Sequence, residues 1–158
     1  MTQATPVAAE PLRIDPLAPA DVPAVRALLV AGLTERWGGY EPRFNPDIEA
    51  LAQGFDGRLT LVARRGGTIV GTGALRPVGA GRFEIVRMSV ASEHRRQGVG
   101  AQVLAALLAA ARQRRAHELV LETTRSWQSA IDFYEQHGFR RTHDDGEDAW
   151  FVRELPAG

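Results

Sequence analysis

The sequence predicts an α/β (α+β) fold: a mixed, mostly antiparallel sheet of about six or seven strands with one parallel pair at its centre, flanked by about four helices. Three observations carry this. Arg65-Gly66-Gly67 and Asp145-Gly146 are hairpin signals between β-rich segments. Val22, Val25, Leu28, Leu29 and Leu33, and again Val99, Val103, Ala106, Leu107 and Ala110, recur at helical spacing. The second of these helices lies between two apolar runs, Phe83 to Val90 and Glu118 to Thr123, the order that a parallel crossover requires.

Taken in order, residues 1 to 10 read as a flexible tail and 11 to 158 as one domain. Leu12 to Leu17 forms a short edge strand interrupted by Pro16, and Asp21 is placed to cap the first helix, which Gly38-Gly39 ends. Asn45-Pro46-Asp47 opens a second, short helix that Gly54 stops. The link between them carries Arg36, Trp37, Tyr40, Arg43 and Phe44. Trp37, Tyr40 and Phe44 either line a substrate pocket or cover the edge of the core, and the sequence favours neither. Strands follow at 59 to 64 and 68 to 75. Phe83 to Val90 is apolar on both faces except at Glu84 and Arg87, which predicts a central strand. After the crossover helix and the strand at 118 to 123, Ser126 or Ser129 can cap a last helix whose Trp127, Ile131 and Tyr134 share one face, and Gly138 closes it. Phe139 to Asp144 and Ala149 to Leu155 make the final hairpin.

Composition narrows the chemistry. All nineteen Lys+Arg residues are arginine, which excludes Schiff-base lysine chemistry and a phosphate loop ending in Gly-Lys-Ser/Thr. The absence of cysteine excludes a thiolate nucleophile, and His94, His117, His137 and His143 lack ligand spacing, so no metal is expected. Zero formal net charge argues against a nucleic-acid partner. The first residues lack the pattern of a signal peptide and no apolar run reaches membrane length, so a cytoplasmic location without membrane association is expected.

The chemistry centres on His94-Arg95-Arg96-Gln97-Gly98-Val99-Gly100. A glycine-punctuated strand-to-helix turn aims backbone N–H groups outward, and the helix dipole behind them favours an anion. The same pattern also serves a plain glycine-capped turn with solvated arginines. There is no G-x-G-x-x-G and too few βαβ units for a dinucleotide fold.

Together with the element order, four segments resemble the GNAT superfamily of acetyl-CoA-dependent N-acyltransferases. Arg95-Arg96-Gln97-Gly98-Val99-Gly100 is similar to its Q/R-x-x-G-x-G/A turn, and Glu84 with Val86 to Val90 to the strand before it. Ala130-Ile131 through Phe133-Tyr134-Glu135 to Gly138-Phe139 resembles a C-terminal A-I-x-L-Y-x-x-x-G-F segment, and Arg13 to Leu29 the family's first strand and helix.

The resemblance implies that the central parallel pair splays apart and that acetyl-CoA is the cosubstrate. Backbone N–H groups from Arg96 through Gln97, Gly98 and Val99 to Gly100 would hold its pyrophosphate, with charge from Arg95 and Arg96. Met88, Ser89 and Val90 would pair with the pantetheine arm, and an N–H there could polarise the thioester carbonyl. Tyr134 matches the general acid that protonates the departing thiolate, a step uphill by about 2 kcal/mol for unperturbed groups. On its residues alone, Tyr134 reads rather as a core aromatic on the face of Trp127 and Ile131. Glu84 is the candidate base, since an alkyl amine costs about 4 kcal/mol to deprotonate at pH 7; alternatively it pairs with Arg82 or Arg87. Glu122 is a second acidic candidate. Trp127 stands where many relatives carry a coenzyme-binding asparagine, and it either shapes the pocket or packs in the core. The implied reaction is direct acetyl transfer to a small-molecule or peptide amine through a tetrahedral intermediate, the alternative being a noncatalytic acyl-CoA-binding module. The family commonly dimerises through an edge strand, which leaves a homodimer open.

Overall fold

The structure, a computed structural model, describes residues 10–157. The expected tail therefore falls, for residues 1–9, outside the described residues. Seven strands form one sheet: β1 (Leu12–Pro16), β2 (Leu59–Arg65), β3 (Thr68–Gly79), β4 (Arg82–Val90), β5 (Glu118–Thr124), β6 (Arg140–Asp145) and β7 (Asp148–Glu154). Their spatial order is β1-β2-β3-β4-β5-β7-β6. Every neighbouring pair is antiparallel except β4 and β5, so the parallel pair sits where the crossover predicts.

Four α-helices accompany the sheet: α1 (Val22–Trp37), the single turn α2 (Pro46–Glu49), α3 (Val99–Gln113) and α4 (Gln128–Gln136). Alternation along β2 assigns its residues to two layers. Leu61 and Ala63 join the large core with Val99, Val103, Leu104 and Leu107 of α3 and with Ile131 and Tyr134 of α4. Val62 packs instead with Val25 and Leu29 of α1 and Ile48 of α2. Each fully buried aliphatic side chain in these layers contributes about 1.5–3 kcal/mol of transfer free energy.

Glycines let the helices approach closely. A Cβ at Gly73 would lie 2.5 Å from Met88 Sδ and 3.0 Å from Val103 Cγ1, and one at Gly71 2.7 Å from Val99 Cγ1. Across the sheet, Gly32 of α1 leaves room for Ser89 Oγ, which a Cβ would meet at 2.8 Å. β4 is thus clamped from both sides, which fixes the strand that leads into the glycine turn.

Asp21 holds the N-cap position of α1 as expected, but without a side-chain cap bond to that helix. Its Oδ2 instead accepts the Ala18 N–H at 3.0 Å and Arg64 Nη2 at 2.9 Å, closing the 3-10 turn before α1. Pro23, in the first turn of α1, has no N–H to offer it. At α4, Trp127 rather than Ser126 or Ser129 holds the cap position, without a side-chain cap bond. Elsewhere Gly38 (φ 79°) and Gly138 (φ 86°) adopt the left-handed conformation that ends a helix.

Candidate active site

β4 and β5 pair only over Arg82↔Glu118, Phe83↔Leu119 and Glu84↔Val120. Beyond Glu84 the strands diverge. Ile85–Val90 keeps only β3 as a partner, and Leu121–Thr124 only β7. A wedge opens between them, with one edge of β4 free to pair with an extended ligand.

A bulge in β4 shapes this edge. Thr72 pairs with Ser89 and Ala74 with Val86, so Gly73 faces an extra residue, and Arg87 sits at φ 55°. The unfavourable backbone of Arg87 is held by its side chain: Nε and Nη2 donate to Asp47 at 2.8 Å, and Nη2 to Asn45 Oδ1 at 3.0 Å. Arg58 adds a further hydrogen bond to Asp47 at 2.8 Å. Burial raises the Asp47 pKa, but the two guanidinium groups outweigh it and bring it down to about 2.

The coenzyme-turn candidates lie at the wedge's end. Arg96 (φ 62°) and Gly98 (φ 79°) are both left-handed, and Gly98 caps α3. Left-handed residues at 96 and 98 are the kind of backbone from which anion nests are built, and the dipole of a fifteen-residue helix stands behind them. Arg95 is held by Glu35 of α1 at 2.6 and 2.8 Å, and Gln97 Oε1 accepts from Arg65 at 2.6 Å. Val99 is buried beneath the turn. Gly100 is open toward Phe133 and Val90, which a Cβ would meet only at 3.5 and 3.7 Å. The end of β4, the start of α3 and α4 therefore converge.

Tyr134 lies buried behind Phe133, with Phe133 and Phe139 edge-on at 5.1 and 5.8 Å between ring centroids. Burial pushes its pKa up to about 12, opposed only by the charge of Arg36. Proton transfer to a thiolate of ordinary pKa is then uphill by about 5 kcal/mol rather than 2. Concerted transfer with C–S cleavage lowers that demand.

Glu84, only 4% exposed, forms its ion pair with Arg76, whose Nη2 and Nε donate to Oε1 at 2.6 and 3.0 Å. Neither arginine named from the sequence is its partner: Arg82 pairs with Glu118 and Arg87 with Asp47. Glu122, two residues past the last parallel pair and on the same face as Glu84, is exposed. Its pKa is raised by desolvation and then by the charges of Asp148 and Glu84.

The pocket aromatics divide. Trp37 and Phe44 are 57% and 69% exposed, whereas Tyr40 packs on the α1 core layer and donates to Glu49 Oε1 at 2.6 Å. Trp127 is 41% exposed, and the guanidinium of Arg36 lies 3.6 Å from its ring centroid. Arg36 is the main group missed as a site residue. It ends α1 yet reaches β5, donating from Nη2 to Thr123 Oγ1 at 3.2 Å and to Thr124 Oγ1 at 2.7 Å. The signal was present: no acid stands three or four residues away to pair with it along the helix.

Residues 23–139 match the acetyltransferase (GNAT) family. The chain belongs to the GNAT acetyltransferase family. It is 36% identical over 98 residues to mouse (Mus musculus) N-acetyltransferase 8, a stretch covering 58% of this chain and 43% of that protein. The chain thus spans less than half the length of this curated relative. A GNAT-family acetyltransferase from Staphylococcus aureus Mu50 superposes with a TM-score of 0.82 at 17% identity, covering 92% of this chain and 100% of that one. The PaiA N-acetyltransferase of Thermoplasma acidophilum, in complex with coenzyme A, superposes with a TM-score of 0.79 at 19% identity, covering 92% and 99%. At such identities these structures establish the GNAT fold, with its mixed sheet and splayed parallel pair. No described helix is long and apolar enough to cross a membrane.

Proposed function

We propose that this GNAT-family chain is an N-acetyltransferase that moves an acetyl group from acetyl-CoA to an amine by direct attack, through a tetrahedral intermediate. The observation that carries the reading is the convergence at the wedge: an anion nest at its end, an unpaired β4 edge along it and Tyr134 buried against it. The N–H groups of 96 to 100 are suited to a pyrophosphate, and the backbone of Met88 to Val90 to a pantetheine arm. Both arginines of the turn are exposed, and Arg96 is the one without a carboxylate partner among the described residues, since Arg95 is engaged by Glu35.

In this reading Tyr134 protonates the leaving thiolate, and its burial makes the transfer depend on simultaneous C–S cleavage. The acceptor nitrogen loses its proton by way of water to a carboxylate. Glu122, exposed at the rim with a raised pKa, is better disposed for this than Glu84, whose Oε1 is occupied by Arg76. The acceptor is a small-molecule or peptide amine. A homodimer through a sheet edge would have to use β1 or β6, and all six residues of β6 are exposed. A noncatalytic acyl-CoA-binding module would share the turn and the wedge and would keep Tyr134 only as a core aromatic.

Calorimetric titration with coenzyme A, followed by a thiol-release screen of acetyl-CoA against diverse amines, tests the proposal. Coenzyme binding and free thiol with at least one amine are expected. Binding without thiol release from any amine would leave the noncatalytic module standing.

A further inference from the structure

Arg36 carries a charge that the described residues leave unmatched. Its Nη2 is taken up by two hydroxyls, Thr123 and Thr124, and its face lies on Trp127. Its Nε is buried without a hydrogen-bond partner. No carboxylate among the described residues comes within 4.0 Å of it. The contrast with nearby arginines is sharp: Arg58, Arg76 and Arg87, also partly buried, pair with Asp47, Asp56 or Glu84. A guanidinium withdrawn from water, with N–H groups of its fork still unused, is matched by a carboxylate through a charge-assisted hydrogen bond.

The surroundings of Arg36 indicate whose carboxylate this is. The residue before it, Glu35, turns to Arg95 beside the glycine turn, whereas Arg36 reaches the end of β5, so the two side chains serve different parts of the wedge. Thr123 and Thr124 end β5 at the wide end of the wedge, and Trp127 begins the helix that carries Tyr134. Glu122 and Asp148 share the face of Thr124, a negatively charged surface that attracts an ammonium. Cation site and anion site therefore lie on one side of the mouth. The exposed ring of Trp37, 5.5 Å from the Arg36 guanidinium, offers an apolar rim.

We infer that Arg36 receives the carboxylate of the acceptor, and that the acceptor is of the amino-acid class, with amine and carboxylate in one molecule. This rests on the acetyl-transfer reading and narrows its substrate. An Arg–carboxylate contact of this kind corresponds to roughly 10- to 100-fold in selectivity.

The test uses pairs of acceptors that differ only in that charge: a panel of apolar and aromatic amino acids, each beside its own amide. In wild type, kcat/KM for the preferred amino acid should exceed that for its amide at least about 10-fold. In Arg36→Gln the ratio should fall to near one, and in Arg36→Lys, which keeps the charge but loses the fork, it should fall in between. A wild-type ratio at or below one overturns the inference. So does an Arg36→Gln variant that keeps the ratio but loses coenzyme affinity, since the arginine would then serve the phosphates. If no amine releases thiol, the acetyl-transfer reading fails separately. Calorimetry of the same pairs on coenzyme-saturated protein then decides: tighter binding of acid than amide, abolished in Arg36→Gln, supports the carboxylate site, and equal or absent binding of both overturns it. Because wild type and Arg36→Lys are both informative, the outcome does not depend on Arg36→Gln folding.

Discussion

Gly98 and Gly100 stand two residues apart in one turn and are glycine for different reasons. Gly98 has φ 79°, which a side chain makes costly, although nothing lies within 4 Å of its would-be Cβ. Gly100 lies in the first turn of α3 without a positive φ, and a Cβ there would make only ordinary contacts with Phe133 and Val90. The fold does not need a glycine at 100; a coenzyme pressed against the backbone, as proposed, would. Gly98→Ala should lower stability by about 1 kcal/mol in denaturant unfolding. Gly100→Ala should leave stability within about 1 kcal/mol of wild type, because alanine favours a helix, while weakening coenzyme binding about 10-fold or more by calorimetry. Unchanged affinity in Gly100→Ala would remove the backbone cradle from the account.

At the scale of elements, β4 is the decisive strand, and its two polar residues mark where it departs from regularity. The sequence identified it as central from apolar residues on both faces, with Glu84 and Arg87 as exceptions. Glu84 makes the last parallel pair before the wedge, and Arg87 occupies the bulge. Their partners were not legible, because pairing follows from register: Arg76 stands opposite Glu84 across β3 and β4, and irregularities at Thr72/Ala74 and Pro77/Gly79 shift that alignment. Asp47, which anchors Arg87 and Arg58 from α2, was legible only as a first-turn acid. Its pKa falls from 3.8 to about 2 on folding. A depressed carboxylate stabilises the fold above its unfolded pKa and loses that contribution as pH falls from about 4 to about 2, roughly 2 kcal/mol before allowance for partial solvent screening. Asp47→Asn should therefore cost about 2–3 kcal/mol at pH 7, since two arginines lose their shared anion, and acid unfolding between pH 4 and 2 should become shallower. Stability equal to wild type at pH 7 would mean that the bulge needs no such anchor.

Across the whole molecule, α1 and α3 cover opposite layers of one sheet, and the wedge between β4 and β5 connects the two sides. The turn proposed for the coenzyme was legible as a glycine-punctuated strand-to-helix turn because its pattern is local, six consecutive residues with glycines at two fixed places. Tyr134 was singled out through the segment around it rather than through any property of a lone tyrosine, and the structure buries it beside Phe133 and Phe139. The acceptor side was not: Arg36 meets Thr123 and Thr124 across 87 and 88 residues of chain, a contact that only the folded sheet creates. Trp127 likewise belongs to neither reading in pure form, being half-exposed beneath a guanidinium rather than packed in the core. The central claim is that the convergence at the wedge is catalytic, with Tyr134 as the acid. The most direct measurement is kcat and coenzyme affinity of Tyr134→Phe beside wild type, with the best amine from the thiol-release screen. The account predicts affinity within a few-fold of wild type and kcat lower by about 100-fold or more. A Tyr134→Phe variant that turns over as fast as wild type would contradict it.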